Sequence, residues 1–361
     1  MKKKDIVLFV SIIIISIFGL IMIYSASNIW AEYKFNDPYK FVKNQGLFLI
    51  IGLIMMNVIS KIDYNIYLRK SNKILLGCVI LLILVLIPGI GTVRNGSRSW
   101  FGIGSFGIQP SEFTKLALII FTSKYLCNNE RELKDIKKGV LPILIITLFI
   151  FGLIMLQPDF GTGVIIVMSI IGLMFVSGVD FSFFIKIGMI GIVGIVGLIA
   201  IAPYRLKRIL SFLNPWQDPL GSGFQIIQSL YAIGPGGIFG QGFGKSFQKH
   251  FYLPEPQTDF IFSIISEEFG FMGIIIVSVL FLIIIYRGFN IATRCNDKFG
   301  KYLAFGITFS LAFQTLLNLM VVVGLIPVTG VTLPFLSYGG SSLLITLCSM
   351  GILLNISGYI T

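Results

Sequence analysis

The sequence predicts an all-α integral membrane protein, a polytopic bundle of about ten transmembrane helices. Of its 361 residues, 55% are hydrophobic and 12% are charged, about half the charged share of a typical soluble domain. The apolar runs are long and continuous rather than alternating, which favours helices over a membrane β-barrel. Helices also satisfy the backbone hydrogen bonds that a bilayer cannot.

The apolar runs give the predicted spans, each close to the roughly 20 residues that a helix needs to cross a bilayer. They lie at about 6–25, 44–60, 73–90, 112–127, 139–156, 162–178, 181–202, 260–286, 302–326 and 338–360. The connections on either side of 162–178 are short, so an alternative fuses or tilts some segments and gives nine spans. No linker or repeat divides the sequence, which predicts a single domain over residues 1–361.

Basic residues set the predicted orientation. The segments predicted to lie inside carry most of the lysines and arginines, and the short outer segments carry few. By the positive-inside rule both termini are cytoplasmic, and the long loop of about 203–259 between spans 7 and 8 is extracellular. The net charge of +12 therefore indicates membrane lipids as partners and no nucleic acid.

Two long outer segments are the candidates for function, because loops of more than about 15 residues in a compact protein are commonly functional. The first, 88–112, is rich in glycine and contains Arg98, whose guanidinium suits phosphate oxygens. Anchoring of lipid headgroups is the alternative role for Arg98. The second segment opens with alternating basic and apolar residues at 204–210, which predicts an interfacial helix.

Glu112 and Lys115 are three residues apart at the start of a predicted span, so their side chains share one helix face. One interpretation is a structural ion pair that allows the helix to begin inside the bundle. The other is a lysine that binds a diphosphate and a glutamate that orients the lysine. Asp159, in the turn before the span 162–178, is predicted to cap that helix, with a place in a substrate groove as its second role.

Asp259 stands where the long polar loop enters the apolar run 260–286. A carboxylate at the edge of a bilayer is costly and is a functional candidate by default. Its alternative role is an N-cap for this helix, and Thr258 is the other candidate cap. Glu267 and Glu268 lie about two turns deeper, where they could line a polar groove that leads to Asp259.

The remaining polar signals are weaker. One histidine, His250, and no cluster with ligand spacing predict no zinc site. The C-terminal motif at 327–343 has no charge. Its hydroxyls, including that of Ser337, would either hydrogen-bond sugar hydroxyls or satisfy an irregular loop, and the sequence leaves both open.

Six motifs in a fixed order resemble one family. They are NGSRSW at 95–100, QPSEFTKLA at 109–117, QPDFGTG at 157–163, NPWQDPLGSGFQIIQSLYAI at 214–233, LPEPQTDFIFSIISEEFG at 253–270 and PVTGVTLPFLSYGGSSL at 327–343. Together they resemble the SEDS proteins (shape, elongation, division and sporulation), the group that contains FtsW, RodA and SpoVE. The wording of the fourth and fifth motifs resembles the division and sporulation branch more than the elongation branch. Ser99 departs from the many relatives that carry a second arginine there, which weakens the case for a double-arginine phosphate clamp.

The resemblance implies a peptidoglycan glycosyltransferase that polymerises lipid II into glycan strands at the outer face of the cell membrane, for cell division or for spore wall synthesis. It implies that Asp259 is the catalytic residue, acting as general base, and that Glu112 and Lys115 are needed for activity. The residues assigned to substrate binding are Glu112, Lys115, Arg98, Gln109, Ser111, Glu267 and Ser337.

The resemblance also implies partners: a class B penicillin-binding protein, which is a transpeptidase with one membrane span, and divisome or sporulation-complex proteins. The diphosphate leaving group needs cations, which Arg98, Lys115 or a bound Mg²⁺ or Mn²⁺ would supply. Two other classes of function remain open. One is a flippase or transporter for lipid II, and the other is a non-catalytic scaffold that recruits the transpeptidase.

Overall fold

The computed structural model describes residues 4–360 apart from Asn95, Gly104, Ser105, Lys134, Ser222 and residues 202–205 and 207–209. Most of the described chain is helical. The helices are α1 (Ile6–Phe35), α2 (Lys40–Ile59), α3 (Asn65–Leu86), α4 (Pro110–Asn128), α5 (Leu141–Met155), α6 (Phe160–Val176), α7 (Phe181–Ile201), α8 (Phe224–Ile233), α9 (Ile261–Arg294), α10 (Lys298–Val322) and α11 (Gly340–Ser357).

Each predicted span coincides with one of these helices, and the helical fold class is confirmed. The largest differences lie at helix ends. Helix α1 continues about ten residues past its predicted end, to Phe35, and α9 continues to Arg294. Both extensions carry polar residues, which a hydropathy window excludes although they are good enough helix formers to prolong a packed helix.

Six helices in the described part of the chain are long and apolar enough to cross a membrane. They are α1, α2, α5 with the π-helical turn before it, α9, α10 and α11. Helix α6 and the first part of α7 are apolar but shorter. A bundle of about ten spans therefore remains a prediction, while a multi-pass membrane protein is well supported by the apolar helices.

The first outer segment forms a small sheet that the sequence pattern did not predict. Strands β1 (Thr92–Arg94), β2 (Ser97–Ile103) and β3 (Phe106–Ile108) pair antiparallel in the order β1-β2-β3. Gly96, with φ +80°, provides the turn between the first two strands. Because β3 ends just before α4, the sheet fixes the start of that helix.

The bundle has a central and a peripheral part. In α11, 83% of the most apolar stretch of the helix is buried inside the protein, compared with 22% in α2. Helix α10 packs against α9, α6 and α4, and α11 packs chiefly on α2. Helices α10 and α11 therefore form the centre, and the loop that joins them (residues 323–339, the α10–α11 loop) lies over it.

The outer loop (residues 203–259) is only partly regular. Its predicted short helix at 225–233 is confirmed as α8, which rests on α9 and α10. The Ser229 hydroxyl lies 2.7 Å from Ser263 Oγ and donates to Val322 O at 2.7 Å. The predicted interfacial helix at 204–210 lies mostly outside the described residues.

Helix α9 is broken at Gly270, whose φ of +61° and ψ of −154° are not helical. In a continuous helix the N–H groups of residues 271 and 272 would donate to the carbonyls of residues 267 and 268. The outer loop takes over all four groups. Phe271 N donates to Gly237 O at 2.9 Å and Met272 N to Ile238 O at 3.0 Å. The N–H groups of residues 241 and 242 donate to the carbonyls of residues 267 and 268 at 2.9 and 3.0 Å.

Candidate active site

Glu112 and Lys115 form the predicted ion pair in the first turns of α4. Lys115 Nζ donates to Glu112 Oε2 at 2.9 Å and to Gln314 Oε1 on α10 at 2.8 Å. The two charged side chains are only 7% and 9% exposed. Neutralising one member of a buried pair leaves an uncompensated charge, so the two groups depend on each other. The hydrogen bond from Lys115 to Gln314 joins α4 to α10.

Lys115 also borders a cavity inside the bundle. The cavity has a volume of about 30 Å³ and lies between α4, α10 and α11. Ser310, Thr346 and Ser349 contribute hydroxyls to its lining. A space of this size is large enough to admit water. A lysine ammonium has three N–H donors, two of which point to Glu112 and Gln314.

Gln109 and Ser111 meet Asp159 at the start of α4. Gln109 Nε2 donates to Asp159 Oδ2 at 2.9 Å, and Ser111 Oγ lies 3.5 Å from the same oxygen. The other oxygen, Oδ1, accepts from Thr162 N at 3.2 Å, so the predicted N-cap of α6 is confirmed. Burial raises the pKa of the Asp159 carboxyl above its ordinary value, although the hydrogen bonds from Thr162 and Ser111 act in the opposite direction.

Asp259 is half-buried beside the first turn of α9. The helix begins at Ile261, and its N-cap is Phe260, which makes no side-chain cap. The interpretation of Asp259 or Thr258 as the N-cap is therefore wrong, because both precede the cap position. Asp259 Oδ1 instead accepts from the Thr258 hydroxyl at 2.9 Å.

Two amides on α10 connect these groups. Gln314 Nε2 donates to Thr332 O in the α10–α11 loop at 3.0 Å. One turn further, Asn318 Nδ2 donates to Asp259 O and to Val331 O, each at 2.7 Å. Residues four apart on a helix share a face. A single face of α10 thus joins the Glu112–Lys115 pair, the α10–α11 loop and the backbone of Asp259.

Glu267 and Glu268 occupy a different position from the predicted polar groove. Glu267 is 2% exposed, and its carboxylate accepts from Ser246 Oγ at 2.5 Å and from Phe247 N at 2.7 Å. These partners belong to the outer loop, so they anchor the loop to α9 and occupy the carboxylate. The expectation that Glu267 lines a groove leading to Asp259 does not agree with this arrangement.

Glu268 binds a lysine that the sequence analysis did not single out. Lys249 Nζ donates to Glu268 Oε1 at 3.3 Å, and both side chains are at most 2% exposed. Ser25 Oγ on α1 donates to the same carboxylate at 2.6 Å. The outer loop therefore reaches into the bundle and ties α9 to α1.

Ser337 supports the α10–α11 loop. Its hydroxyl accepts from Leu333 N at 2.8 Å, and its main-chain oxygen accepts from Gln45 Nε2 at 3.2 Å. The side chain is 5% exposed. Of the two roles left open by the sequence, the structure shows Ser337 in the one that satisfies an irregular loop.

Arg98 lies on β2, opposite Val93 on β1, and is half-buried. It forms no ion pair with any residue that the structure describes. The sheet that carries it is tied to the bundle by Ser341, whose hydroxyl donates to Gly107 O at 3.3 Å and accepts from Gln109 N at 3.3 Å. The guanidinium thus has a fixed support and charge available for an anion.

The chain is similar to known proteins along its whole length. A profile of a family described as cell cycle protein, comprising FtsW, RodA and SpoVE, matches residues 5–361. Stage V sporulation protein E of Bacillus subtilis (strain 168) is 53% identical over 357 residues, which cover 99% of this chain and 98% of that protein. Probable peptidoglycan glycosyltransferase FtsW of Geobacter sp. (strain M18) is 41% identical over 353 residues, covering 98% and 96%.

A solved structure has the same architecture. One chain in a structure of a peptidoglycan synthase complex, described as coordinating polymerization and crosslinking, superimposes with a TM-score of 0.80. It is 29% identical, and the match covers 99% of this chain and 98% of that chain. The similarity therefore extends over the candidate site and the outer loop.

Proposed function

From the premise that this chain belongs to the FtsW, RodA and SpoVE family of cell cycle proteins, we propose that it is a peptidoglycan glycosyltransferase. It polymerises lipid II into glycan strands at the outer face of the cell membrane. The support is its 41% identity to a probable peptidoglycan glycosyltransferase, FtsW of Geobacter sp., and its structural similarity to a chain of a peptidoglycan synthase complex. The 53% identity to a sporulation protein favours spore wall synthesis or a division role over elongation.

One observation carries the chemical part of the proposal. Asp259 is an acid at the mouth of the bundle that does not cap its helix, and Asn318 on α10 holds its main-chain oxygen. One turn away on the same helix, Gln314 accepts a hydrogen bond from Lys115. A carboxylate and a cation are thus held by one scaffold. The half-buried position gives the carboxylate access to a substrate while limiting its solvation.

The reaction joins the 4-hydroxyl of one sugar to the anomeric carbon of another, which carries a polyprenyl diphosphate. The hydroxyl oxygen forms the new bond to the anomeric carbon as the bond to the diphosphate breaks. Asp259 accepts the hydroxyl proton as general base, and the diphosphate departs as an anion. One carboxylate suffices, because the diphosphate is a good leaving group.

Cations stabilise the charge that develops on the diphosphate. We assign this charge to Lys115, oriented by Glu112, and to Arg98 on the sheet. Gln109 and Ser111 act through Asp159, which fixes the start of α4. Ser337 shapes the loop above the site.

A divalent cation, Mg²⁺ or Mn²⁺, would enter with the substrate. The described residues contain no group of three or more His, Cys, Asp or Glu side chains that could hold a metal ion. They fit the mode in which Mg²⁺ is held mainly by substrate phosphates and water with one carboxylate. The ion would supply positive charge at the diphosphate.

We place the protein in the cell membrane with this site on the extracellular side and a class B penicillin-binding protein as its partner. The supporting observations are the predicted orientation and the synthase complex in which the similar chain occurs. A lipid II flippase and a scaffold for the transpeptidase are the competing functions. Neither requires the Asp259 carboxylate to accept a proton.

The test is polymerisation of lipid II by the purified protein with its co-expressed transpeptidase, comparing wild type with Asp259→Asn. Asp180→Asn, an exposed acid in the connection before α7, is the matched control. We expect glycan strands from wild type and Asp180→Asn and none from Asp259→Asn. Glycan strands made by Asp259→Asn would show that Asp259 is not the general base. No strands from a folded wild-type complex would favour the flippase or the scaffold.

A further inference from the structure

We infer that Asn318 is a positioning residue that sets the Asp259 carboxylate for the reaction, an inference that rests on the proposed function. The side chain is 1% exposed on α10. Its amide group donates to Asp259 O and to Val331 O at 2.7 Å each. It therefore links the segment that bears the base to the α10–α11 loop.

The side-chain amide of Asn318 acts only as a hydrogen-bond donor toward the described residues. Both N–H groups of the amide go to main-chain oxygens, while Oδ1 is buried and has no hydrogen-bond partner among the described residues. The opposite amide orientation would place Oδ1 against two carbonyl oxygens, so the network fixes which atom is nitrogen. A buried acceptor without a partner costs stability. Packing alone would favour an apolar residue of the same size, and what Asn318 adds is two donors.

The donors act at a point where no regular structure holds the chain. Asp259 lies before the first turn of α9, outside the hydrogen-bond ladder of the helix. Val331 belongs to the irregular loop. Fixing both main-chain oxygens to one rigid helix removes their independent motion. Reacting groups must be held to well below 1 Å, because a displacement of about 1 Å can lower the rate of an enzyme about a hundredfold.

Gln314 holds Lys115 in the way that Asn318 holds the main chain of Asp259. It lies one turn from Asn318 on α10 and connects Lys115 to Thr332 O. The spacing of the two amides along the helix is fixed by helix geometry. Helix α10 therefore sets the relative position of the base, the loop and the lysine.

The experiment compares Asn318→Leu and Asn318→Asp with wild type. Leucine removes both donors while keeping the volume. Aspartate keeps the shape, but as a carboxylate it repels the oxygens of Asp259 and Val331, and when protonated it regains one donor. Asn355 provides the matched control because it is also a buried asparagine, with Nδ2 donating to Ser60 O at 3.0 Å. Its Oδ1 accepts from Tyr64 N at 3.0 Å.

Lipid II polymerisation is measured per folded molecule, with kcat and KM separated. We expect Asn318→Leu to lower kcat about tenfold to a hundredfold with KM within about twofold of wild type. Asn355→Leu should lower thermal stability but keep kcat within about twofold. For Asn318→Asp, the activity relative to wild type should rise as pH falls from 8 to 6, because protonation restores a donor.

A readout without catalysis keeps the inference separate from the proposed function. Hydrogen exchange at the amides of residues 258–262 and 329–333 should be faster in both Asn318 variants than in wild type or Asn355→Leu. Unchanged exchange in these segments, or unchanged kcat in both Asn318 variants beside an active wild type, would overturn the inference. An inactive wild type with faster exchange in the variants would instead reject the glycosyltransferase and leave the positioning intact.

Discussion

Gly240 packs its backbone directly against Gly270, the residue at which α9 is broken. A β-carbon added at Gly270 would come within 2.4 Å of Gly240 N and within 2.7 Å of Ile238 O. The break in the helix and the inserted segment of the outer loop are therefore one unit. Glycine is needed at position 270 for space and for its positive φ.

Gly270→Ala should destabilise the protein. The positive φ and the ψ of −154° place Gly270 in a backbone region that is essentially restricted to glycine, which costs an L-residue about 1–3 kcal/mol. The clash with Gly240 adds to this cost. The substitution should lower the melting temperature of the detergent-solubilised protein and expose the outer loop to protease. Gly152→Ala in α5, where an added β-carbon meets nothing within 4 Å, is the control and should melt at or above the wild-type temperature. Equal protease resistance in both variants would contradict the insertion.

The Glu112–Lys115 pair allows structure and chemistry to be separated by a double substitution. Lys115→Met alone leaves the Glu112 carboxylate buried without its partner, which costs about 3–5 kcal/mol. Adding Glu112→Gln removes the stranded charge, so the double variant should recover much of the melting temperature. It should remain inactive in lipid II polymerisation, because the Lys115 ammonium no longer stabilises the charge on the diphosphate.

The control for this experiment is an exposed ion pair. Lys298 and Glu130 lie far more open to solvent, at 56% and 46% exposed, and surface pairs contribute at most about 1 kcal/mol. Lys298→Met should change neither stability nor activity measurably. Recovery of activity together with stability in the Glu112→Gln, Lys115→Met double variant would make the pair structural only.

The sequence predicted the parts of this protein that depend on local pattern. Apolar run length located the helices, the spacing of Glu112 and Lys115 predicted their ion pair, and Asp159 was correctly assigned as a cap. These features follow from helix geometry over one or two turns. The interpretation of Asp259 as a helix cap was wrong, because helix boundaries shift by a residue or two when tertiary contacts decide them. Its catalytic role stays a prediction.

The sequence did not predict the side-chain contacts between residues that are far apart in the chain. Glu267 was expected to face a groove, yet it binds loop amides about 20 positions away in the chain. Gln314 and Asn318 were missed entirely, although two amides four residues apart in an apolar helix are a detectable signal. Lys249 was missed because its polar loop gave no sign that the side chain enters the bundle. Such contacts join segments whose relative placement no local pattern encodes.

Chelation should reduce activity reversibly. A cation held mainly by the diphosphate and water binds weakly, since the described residues offer no cluster of three or more ligands. EDTA should lower lipid II polymerisation, and millimolar Mg²⁺ or Mn²⁺ should restore it without changing the melting temperature of the protein. A melting temperature that falls with EDTA would indicate a structural metal instead, and activity unaffected by EDTA would reject the cation.

The buried Lys249–Glu268 pair should hold the outer loop in the bundle. Lys249→Met leaves the Glu268 carboxylate, which is fully buried, with only hydroxyl and amide donors, at a cost of about 3–5 kcal/mol. The variant should melt at a lower temperature, and the loop should be cut by protease near position 245. Lys245→Met, which changes an exposed lysine in the same loop, should behave as wild type.

Combining Lys249→Met with Glu268→Gln removes the stranded charge and should restore part of the stability. If the double variant is less stable than Lys249→Met alone, the Glu268 carboxylate is anchored by Ser25 and the loop amides without help from the lysine.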